Sequence, residues 1–270
     1  MRPLFLVVPI FLALFREGAP AQDRFTPSWL VLPSGALSYE GKGAQDTPQP
    51  FWESKTSYST PIYGILFRWE MNSSSALASE FWRNIDGDHE EANPFGLQSN
   101  QTRLVLNNFS ISYQRKLLGS GLEALVGAQF LSESFDRDQF VVQGVPVQGS
   151  AEESLTGQGI QLGIHGLHNK TVFGTHFYAD WNFKTGFLLH TTNRQVSEIP
   201  VLNEKGYTYH VQGELGIQRS RFFAGVGLTH QFFRFYVPGG KSLETGPVVS
   251  YSMNTTNFHG LYLRGGWSFK

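Results

Sequence analysis

The chain has 270 residues and a formal net charge of −1; 40% of its residues are hydrophobic, 14% aromatic and 16% charged, and none is cysteine. With 21 basic residues against 22 acidic ones there is no positive excess for a phosphate backbone, so a nucleic-acid partner is not expected. Twenty-three Phe among so few charges exclude a disordered chain, and the missing Cys excludes zinc–thiolate, iron–sulfur, thiol-nucleophile and disulfide-scaffold chemistry.

Taken in chain order, residues 1–21 read as a cleaved signal peptide. Arg2 supplies the basic start, Leu4 to Phe15 the apolar run, and Ala19-Pro20-Ala21 the small-residue cleavage site before Gln22. The apolar run is interrupted by Pro9 and is shorter than the roughly 20 residues of a spanning helix. Residues 22–270 then form one domain, exported and free of Cys, as expected for the envelope of a Gram-negative-type bacterium. No later stretch is long and apolar enough for a transmembrane helix.

What recurs after the leader is a period of two. Tyr63, Ile65, Phe67 and Trp69 alternate with Gly64, Leu66, Arg68 and Glu70, and Phe173, Thr175, Phe177, Ala179, Trp181 and Phe183 with Gly174, His176, Tyr178, Asp180 and Asn182. Tyr207, Tyr209, Val211, Leu215 and Ile217 face away from Thr208, His210, Gln212 and Glu214; Leu261, Leu263, Trp267 and Phe269 face away from Tyr262, Arg264, Gly266 and Ser268. Such alternation describes strands whose two sides meet different surroundings. Strands of a soluble sandwich average about 5 to 6 residues. A strand crossing a bilayer needs about 9 to 11, with aromatic residues at the two interfaces, and these segments run that long or longer.

Connection lengths give the topology. Short turns are expected at Asn72 to Ser75, Lys116 to Ser120, His168 to Thr171 and Arg219 to Ser220. Long polar loops are expected at Lys42 to Thr56, Ile85 to Gln101, Glu133 to Thr156, Thr192 to Lys205 and Val237 to Asn257, alternating with the turns. The fold class is therefore all-β: a transmembrane, antiparallel, up-and-down β-barrel of about ten strands. Its short turns are periplasmic and its long loops extracellular. The strands are expected near Trp29 to Gly41, Ser57 to Met71, Ala76 to Asn84, Thr102 to Arg115, Gly121 to Ser132, Gly157 to Leu167, Val172 to Thr191, Gly206 to Gln218, Arg221 to Tyr236 and Phe258 to Lys270. Gly246 to Met253 also alternates, but an eleventh strand would break the even number, so it reads as part of the last loop.

The segments Leu122 to Phe135 (LEALVGAQFLSESF), Gln158 to Thr192, Gln212 to Gly239 and Asn254 to Phe269 (NTTNFHGLYLRGGWSF) resemble a bacterial outer-membrane β-barrel family of porins and pore-forming outer-membrane proteins. The resemblance runs from about Leu104 onward. It implies an outer-membrane barrel and passive passage of small solutes, and it brings no catalytic residues. Members usually finish on an aromatic residue, whereas here Phe269 is followed by Lys270.

The parity assigns side chains to the two faces. Arg68, Glu70, Glu123, His165, His176, Asp180, His210, Glu214 and Arg264 are expected in the lumen. Trp69, Phe177, Trp181, Tyr207, Tyr209, Leu261, Leu263, Trp267 and Phe269 are expected against lipid. About eight strands give a lumen that side chains just fill, so ten strands with both signs of charge inside admit a narrow passive pore, a structural wall protein or a plugged barrel displaying its loops. Inward Gly159, Gly163, Gly174, Gly216, Gly225, Gly227, Gly260 and Gly266 either widen the lumen or relieve crowding. The loop Asp86, Asp88, His89, Glu90 and Glu91, with Asp136 and Asp138, offers a rim hydrolase or a calcium site as lesser alternatives. His165 and His176, placed diagonally about a turn at Asn169, lack a third metal ligand. The expectation is thus no enzyme, no cofactor and no metal; the partners are outer-membrane lipid, the barrel-assembly machinery and small solutes.

Overall fold

The computed structural model describes residues 24–42, 53–93, 96–117, 121–173, 175–195, 205–236 and 253–269. The leader assigned to residues 1–21, Gly174, and residues 43–52, 196–204 and 237–252 of the expected loops lie outside them, the last including most of the alternating segment from Gly246. The strands are β1 (Arg24–Lys42), β2 (Glu53–Asn72), β3 (Ser75–Asn84), β4 (Asp88–Ala92), β5 (Gln98–Lys116), β6 (Leu122–Val142), β7 (Val145–Val147), β8 (Ala151–Val172), β9 (Thr175–Gln195), β10 (Lys205–Arg219), β11 (Phe222–Tyr236) and β12 (Met253–Trp267).

All pairings are antiparallel, and β12 returns to β1 with Val31 opposite Leu263 and Tyr39 opposite Thr256, so the sheet closes. β3 and β4 both lie between β2 and β5 and share one place in the ring, while β7 only folds back on the end of β6. The wall therefore has ten positions. An isolated bridge between Phe25 and Phe269 continues the seam at its turn end.

Strands of 15 to 22 residues, the broken β3/β4 position aside, exceed what a bilayer requires, and the excess lies at the loop end. Two expected loops are largely strand for this reason. Ile85 to Gln101 contains β4, and Glu133 to Thr156 is mostly the overhang of β6 and β8, which remain paired from Ser134–Ser154 to Arg137–Ala151. Their polar outward residues lie above the lipid, so the apolar alternation that marks a lipid-facing strand is missing there although the ladder continues.

The hairpin expected to turn at His168 to Thr171 turns later. His168 pairs with Ala179 and Val172 with Thr175, and Phe173 takes a left-handed φ of 49° at the tip. Asn169 and Lys170 looked like turn residues but stay in the ladder. This register sets His165 against Asn182 and brings Asp180 within reach of His165, a pairing that the earlier turn would have lost. His165 and His176 are consequently not neighbours. His176 sits opposite Thr171, six residues along β8 from His165 or about 20 Å.

The outer wall is apolar at mid-height, with Val226, Leu228, Leu261, Leu263, Leu215 and Val211 all between 45 and 67% exposed. Towards the turns it is bounded by Trp29 beside Trp267 (4.6 Å) and Phe25 stacked on Phe67 (5.8 Å). Towards the loops it is bounded by Tyr207, Tyr209 and Phe232. Two aromatic girdles around an apolar band are what a bilayer-embedded barrel presents to lipid. An arginine at Leu263, near mid-band, is expected to cost about 2 to 4 kcal/mol in denaturant unfolding from lipid vesicles. An unchanged midpoint would reverse the assignment of this face.

Candidate functional site

Inside the ring the side chains fall into layers. Nearest the short turns lies an ionic chain. Arg68 donates to Gln114 and, through Nη2, to both carboxylate oxygens of Glu123 (2.8 and 2.9 Å). Glu123 Oε2 meets His165 Nδ1 at 2.8 Å, and His165 Nε2 meets Asp180 Oδ1 at 2.8 Å. Arg264 Nη1 then spans Asp180 Oδ2 (3.0 Å) and Glu214 Oε2 (3.5 Å), and Tyr178 donates its hydroxyl to Glu214. The signs alternate from Arg68 to Glu214. With a carboxylate on each ring nitrogen, His165 needs a proton on both, so the imidazolium is the form that fits.

One level up, Glu80 receives Lys184 and Ser110 and lies 3.3 Å from His210 Nδ1. Above this, a chain of hydrogen bonds crosses the lumen: Thr208 donates to Gln129 (2.7 Å), Gln129 to Asn108 (3.0 Å) and Asn108 to Gln231 (2.8 Å). The next layer is apolar. Trp82, Leu106, Leu131, Leu188, Phe233, Phe235, Phe258, Leu32 and Ile62 are at most 4% exposed and pack as one core. Trp82 lies edge-on to His210 (6.1 Å) and near Phe258 (5.8 Å), and it lies flat against Gly64, where an added Cβ would come within 3.0 Å of the ring.

A second ionic cluster covers the core at the loop end. Arg137 donates to Glu91 (2.7 Å) and Glu153 (2.9 Å), with its guanidinium over the rings of Phe135 (4.7 Å) and Tyr39 (5.6 Å). Glu91 also accepts from Ser54 (2.6 Å), Asn100 and Thr102. This group lies beyond the outer girdle. Burial alone would raise the Glu91 carboxyl, but Arg137 together with the Ser54 and Thr102 hydroxyls holds it below the usual carboxylate range.

The residues assigned to the lumen therefore sit in different places. Arg68, Glu123, His165, Asp180, Glu214 and Arg264 form one chain, and His210 belongs to the layer above. Glu70 is half-exposed at the mouth, 3.7 Å from Arg68, and His176 is exposed at the turn-end rim, bonded to Thr171 (2.8 Å). Of the residues assigned to lipid, Trp69, Phe177, Leu261, Leu263 and Phe269 are 42 to 53% exposed on the outer wall. Trp181 is half-buried over Gly166, and Trp267, Tyr207 and Tyr209 are half-buried in the girdles. The parity reading did not single out Tyr178, Lys184, Tyr262, Trp82 or Arg137, all of which carry the lumen's packing or charge. Inward parity was available for Tyr178 and Lys184 on β9, for Tyr262 and for Trp82.

Several inward glycines give their space to aromatic rings. A Cβ at Gly216 would meet Tyr178 at 2.3 Å, one at Gly227 would meet Tyr262 at 2.5 Å, and one at Gly266 would meet Phe223 at 2.5 Å. The room they leave is thus occupied. The remaining opening in the ionic layer, lined by Arg68, Glu80, His165, Asp180, Lys184 and Arg264 among others, is about 60 Å³.

The rim acids are spread out. Asp88 is tied to Arg103 (3.0 Å), the His89 ring stacks on Tyr58 (3.3 Å), and Glu91 turns inward to Arg137. Asp136 and Asp138 pair along the ladder with Arg103 and Gln101. Among the described residues no group of three or more His, Cys, Asp or Glu is placed to hold a metal.

No protein-family model and no curated protein sequence matches this chain. Among solved structures, the outer-membrane protease OmpT from Escherichia coli is similar with a TM-score of 0.57 at 10% identity, over 94% of this chain and 99% of that one. The chain has the fold of an outer-membrane β-barrel. At that identity the likeness shows the fold alone. The translocator domain of the autotransporter NalP from Neisseria meningitidis (TM-score 0.38, 15% identity, 98% and 94% covered) also matches. So does the toluene transporter TodX from Pseudomonas putida (TM-score 0.32, 12% identity, 93% and 90% covered). At those scores neither carries an argument.

Two outcomes follow from this barrel's interior. Arg264→Leu leaves Glu214 buried without its cation and Asp180 with His165 alone, so unfolding from vesicles should show a loss of about 3 to 5 kcal/mol. Because Glu91 titrates lower when folded, its stabilisation is present above its unfolded value of 4.5 and is lost as pH falls through the folded one. Denaturation midpoints followed from pH 6 down to pH 3 should therefore drop more steeply in the natural chain than in Glu91→Gln.

Proposed function

We propose that the chain is exported by its amino-terminal leader, inserted by the barrel-assembly machinery, and serves as a closed, non-enzymatic barrel that anchors its loop-end surface in the outer membrane. The observation that carries this reading is the apolar layer around Trp82, Phe233 and Phe258, buried between two ionic layers. A freely conducting channel needs continuous water along its axis, and a layer of interlocked rings and leucines dewets that path. Ten strands stand near the width that side chains fill unaided. The overhang of β6 and β8 and the Arg137 cluster stiffen the loop end, as suits a surface that other molecules meet.

The porin-like reading retains one favourable observation, the polar opening of about 60 Å³ in the ionic layer. Solute passage would then require the apolar layer to move aside. Planar-bilayer recording of the folded chain separates the two, with the heat-modifiable band on a gel as the check of folding. A silent, heat-modifiable barrel is the expected outcome, with discrete steps emerging when Trp82 and Phe258 are both replaced by Ser. Steady conductance steps from the natural chain would overturn the closed-barrel reading.

A further inference from the structure

The outer wall carries a patch that neither the lumen nor the lipid band accounts for. At the loop-end limit of the apolar band, His230 of β11 lies directly opposite His259 of β12, ring centroids 5.7 Å apart, with Val211 and Ala36 on either side. The next outward row, about 7 Å higher, is Tyr209, Phe232, Asn257 and Ser38; the one above is Tyr207, Arg234, Thr255 and Glu40.

Arg234 lies over the rings of Phe232 (5.2 Å) and Tyr207 (5.6 Å) and donates Nε–H to Thr255 Oγ1 (3.2 Å). Among the described residues its two terminal amino groups meet no acceptor and no acid pairs with it. The one carboxylate in that row, Glu40, is already taken by Lys42 (3.2 Å) and Lys55 (3.0 Å). The arginine on the opposite side of the ring differs: Arg103 is committed to Asp88. Beside the patch, continuing from Ser38 and Asn257, is an open cavity of about 680 Å³ lined by Glu40, Lys55, Ser57 and Glu90 together with Tyr58 and His89.

We propose that this face of β10, β11, β12 and β1 binds a phosphorylated glycolipid of the outer leaflet. His259 and Arg234 take its phosphate, and the cavity beside Ser38 and Asn257 takes its sugar. The chemistry follows the height of each group. The acyl chains lie on Leu261, Leu263 and Leu228; a headgroup phosphate reaches the His259 imidazole and the terminal guanidinium donors of Arg234, which suit a tetrahedral anion, while His230, whose Nε2 meets the Tyr209 hydroxyl at 3.3 Å, flanks the site. Sugar hydroxyls reach a cavity of hydroxyls, amide, carboxylates and stacked rings. Continuity with the lipid-contacting band selects a lipid over a soluble anion, and the cavity selects a glycolipid over a simple phospholipid. The site is the same whether the lumen is open or closed.

Native mass spectrometry of the full chain folded in detergent tests it with three probes: a bis-phosphorylated acylated disaccharide, the same lipid without phosphates, and phosphatidylglycerol. The phosphorylated disaccharide should be retained about tenfold better than either of the others. Arg234→Gln should weaken it about fivefold, the size expected for one headgroup-level cation. His259→Gln, at an exposed position, should weaken it in the same direction, and Arg83→Gln, on the far wall, should leave it unchanged. Equal retention of the phosphorylated and dephosphorylated disaccharides by the natural chain would overturn the phosphate site. Retention of phosphatidylglycerol equal to that of the phosphorylated disaccharide would overturn the assignment of the cavity to sugar.

Discussion

Hydrocarbon offers no partner to a backbone N–H or C=O, so a sheet inside a bilayer must have no edge. In this protein the joint between β1 and β12 meets that requirement, and the bridge between Phe25 and Phe269 extends it towards the turn end. Closure then dictates the side chains. Each strand sends every second residue into a ring too narrow for bulk water to solvate charges cheaply, and the others into lipid. A charge placed inside must find an opposite charge and hydrogen-bonding partners across the ring, because burial without them is costly.

The ionic layer is the result. Arg68, Glu123, His165, Asp180, Arg264 and Glu214 come from β2, β6, β8, β9, β12 and β10, so each ion pair links strands and the chain of pairs crosses the lumen. Such a chain does more for register than for net stability, since buried pairs repay much of their Coulomb energy in desolvation. A slip of β8 against β9 would separate His165 from Asp180 and cut the chain in two, leaving each with one partner, Glu123 and Arg264. The hairpin tip at Phe173, rather than at the more turn-like Asn169, is the visible consequence.

Above that layer the barrel is packed like the interior of a soluble protein. Trp82, Phe258 and the surrounding leucines bury their surface against each other within the ring, and Gly64 lets the indole lie against the wall. The Arg137 cluster seals the layer from the water at the loop end. Ionic at both ends and apolar between, the lumen resists hydration along its length, whereas on the face of β10 to β12 and β1 the outside wall grades from apolar band to the paired imidazoles of His230 and His259, then to the aromatic girdle with the Arg234 guanidinium.

Much of this was legible in the sequence. Alternation in Tyr207 to Ile217 and Leu261 to Phe269 marks strands because lipid and lumen impose opposite polarities, and nine alternating connections join ten strands, an even number that fits a closed ring. Alternation fades where both faces of a strand are polar, which is why β4 and the upper parts of β6 and β8 read as loop. Parity places His165 and Asp180 on the inner face, but partners across a ring depend on strand tilt and on each turn's position, which local sequence fixes only loosely. Arg137, in a stretch that read as loop, gave no signal of its part in the lumen. The sequence by itself determined a membrane barrel and the face of most side chains, because hydrocarbon punishes any other arrangement residue by residue. Only the tertiary structure decided which charges meet and that an apolar layer lies between them, because those contacts join strands far apart in the chain and exist only once the ring has closed.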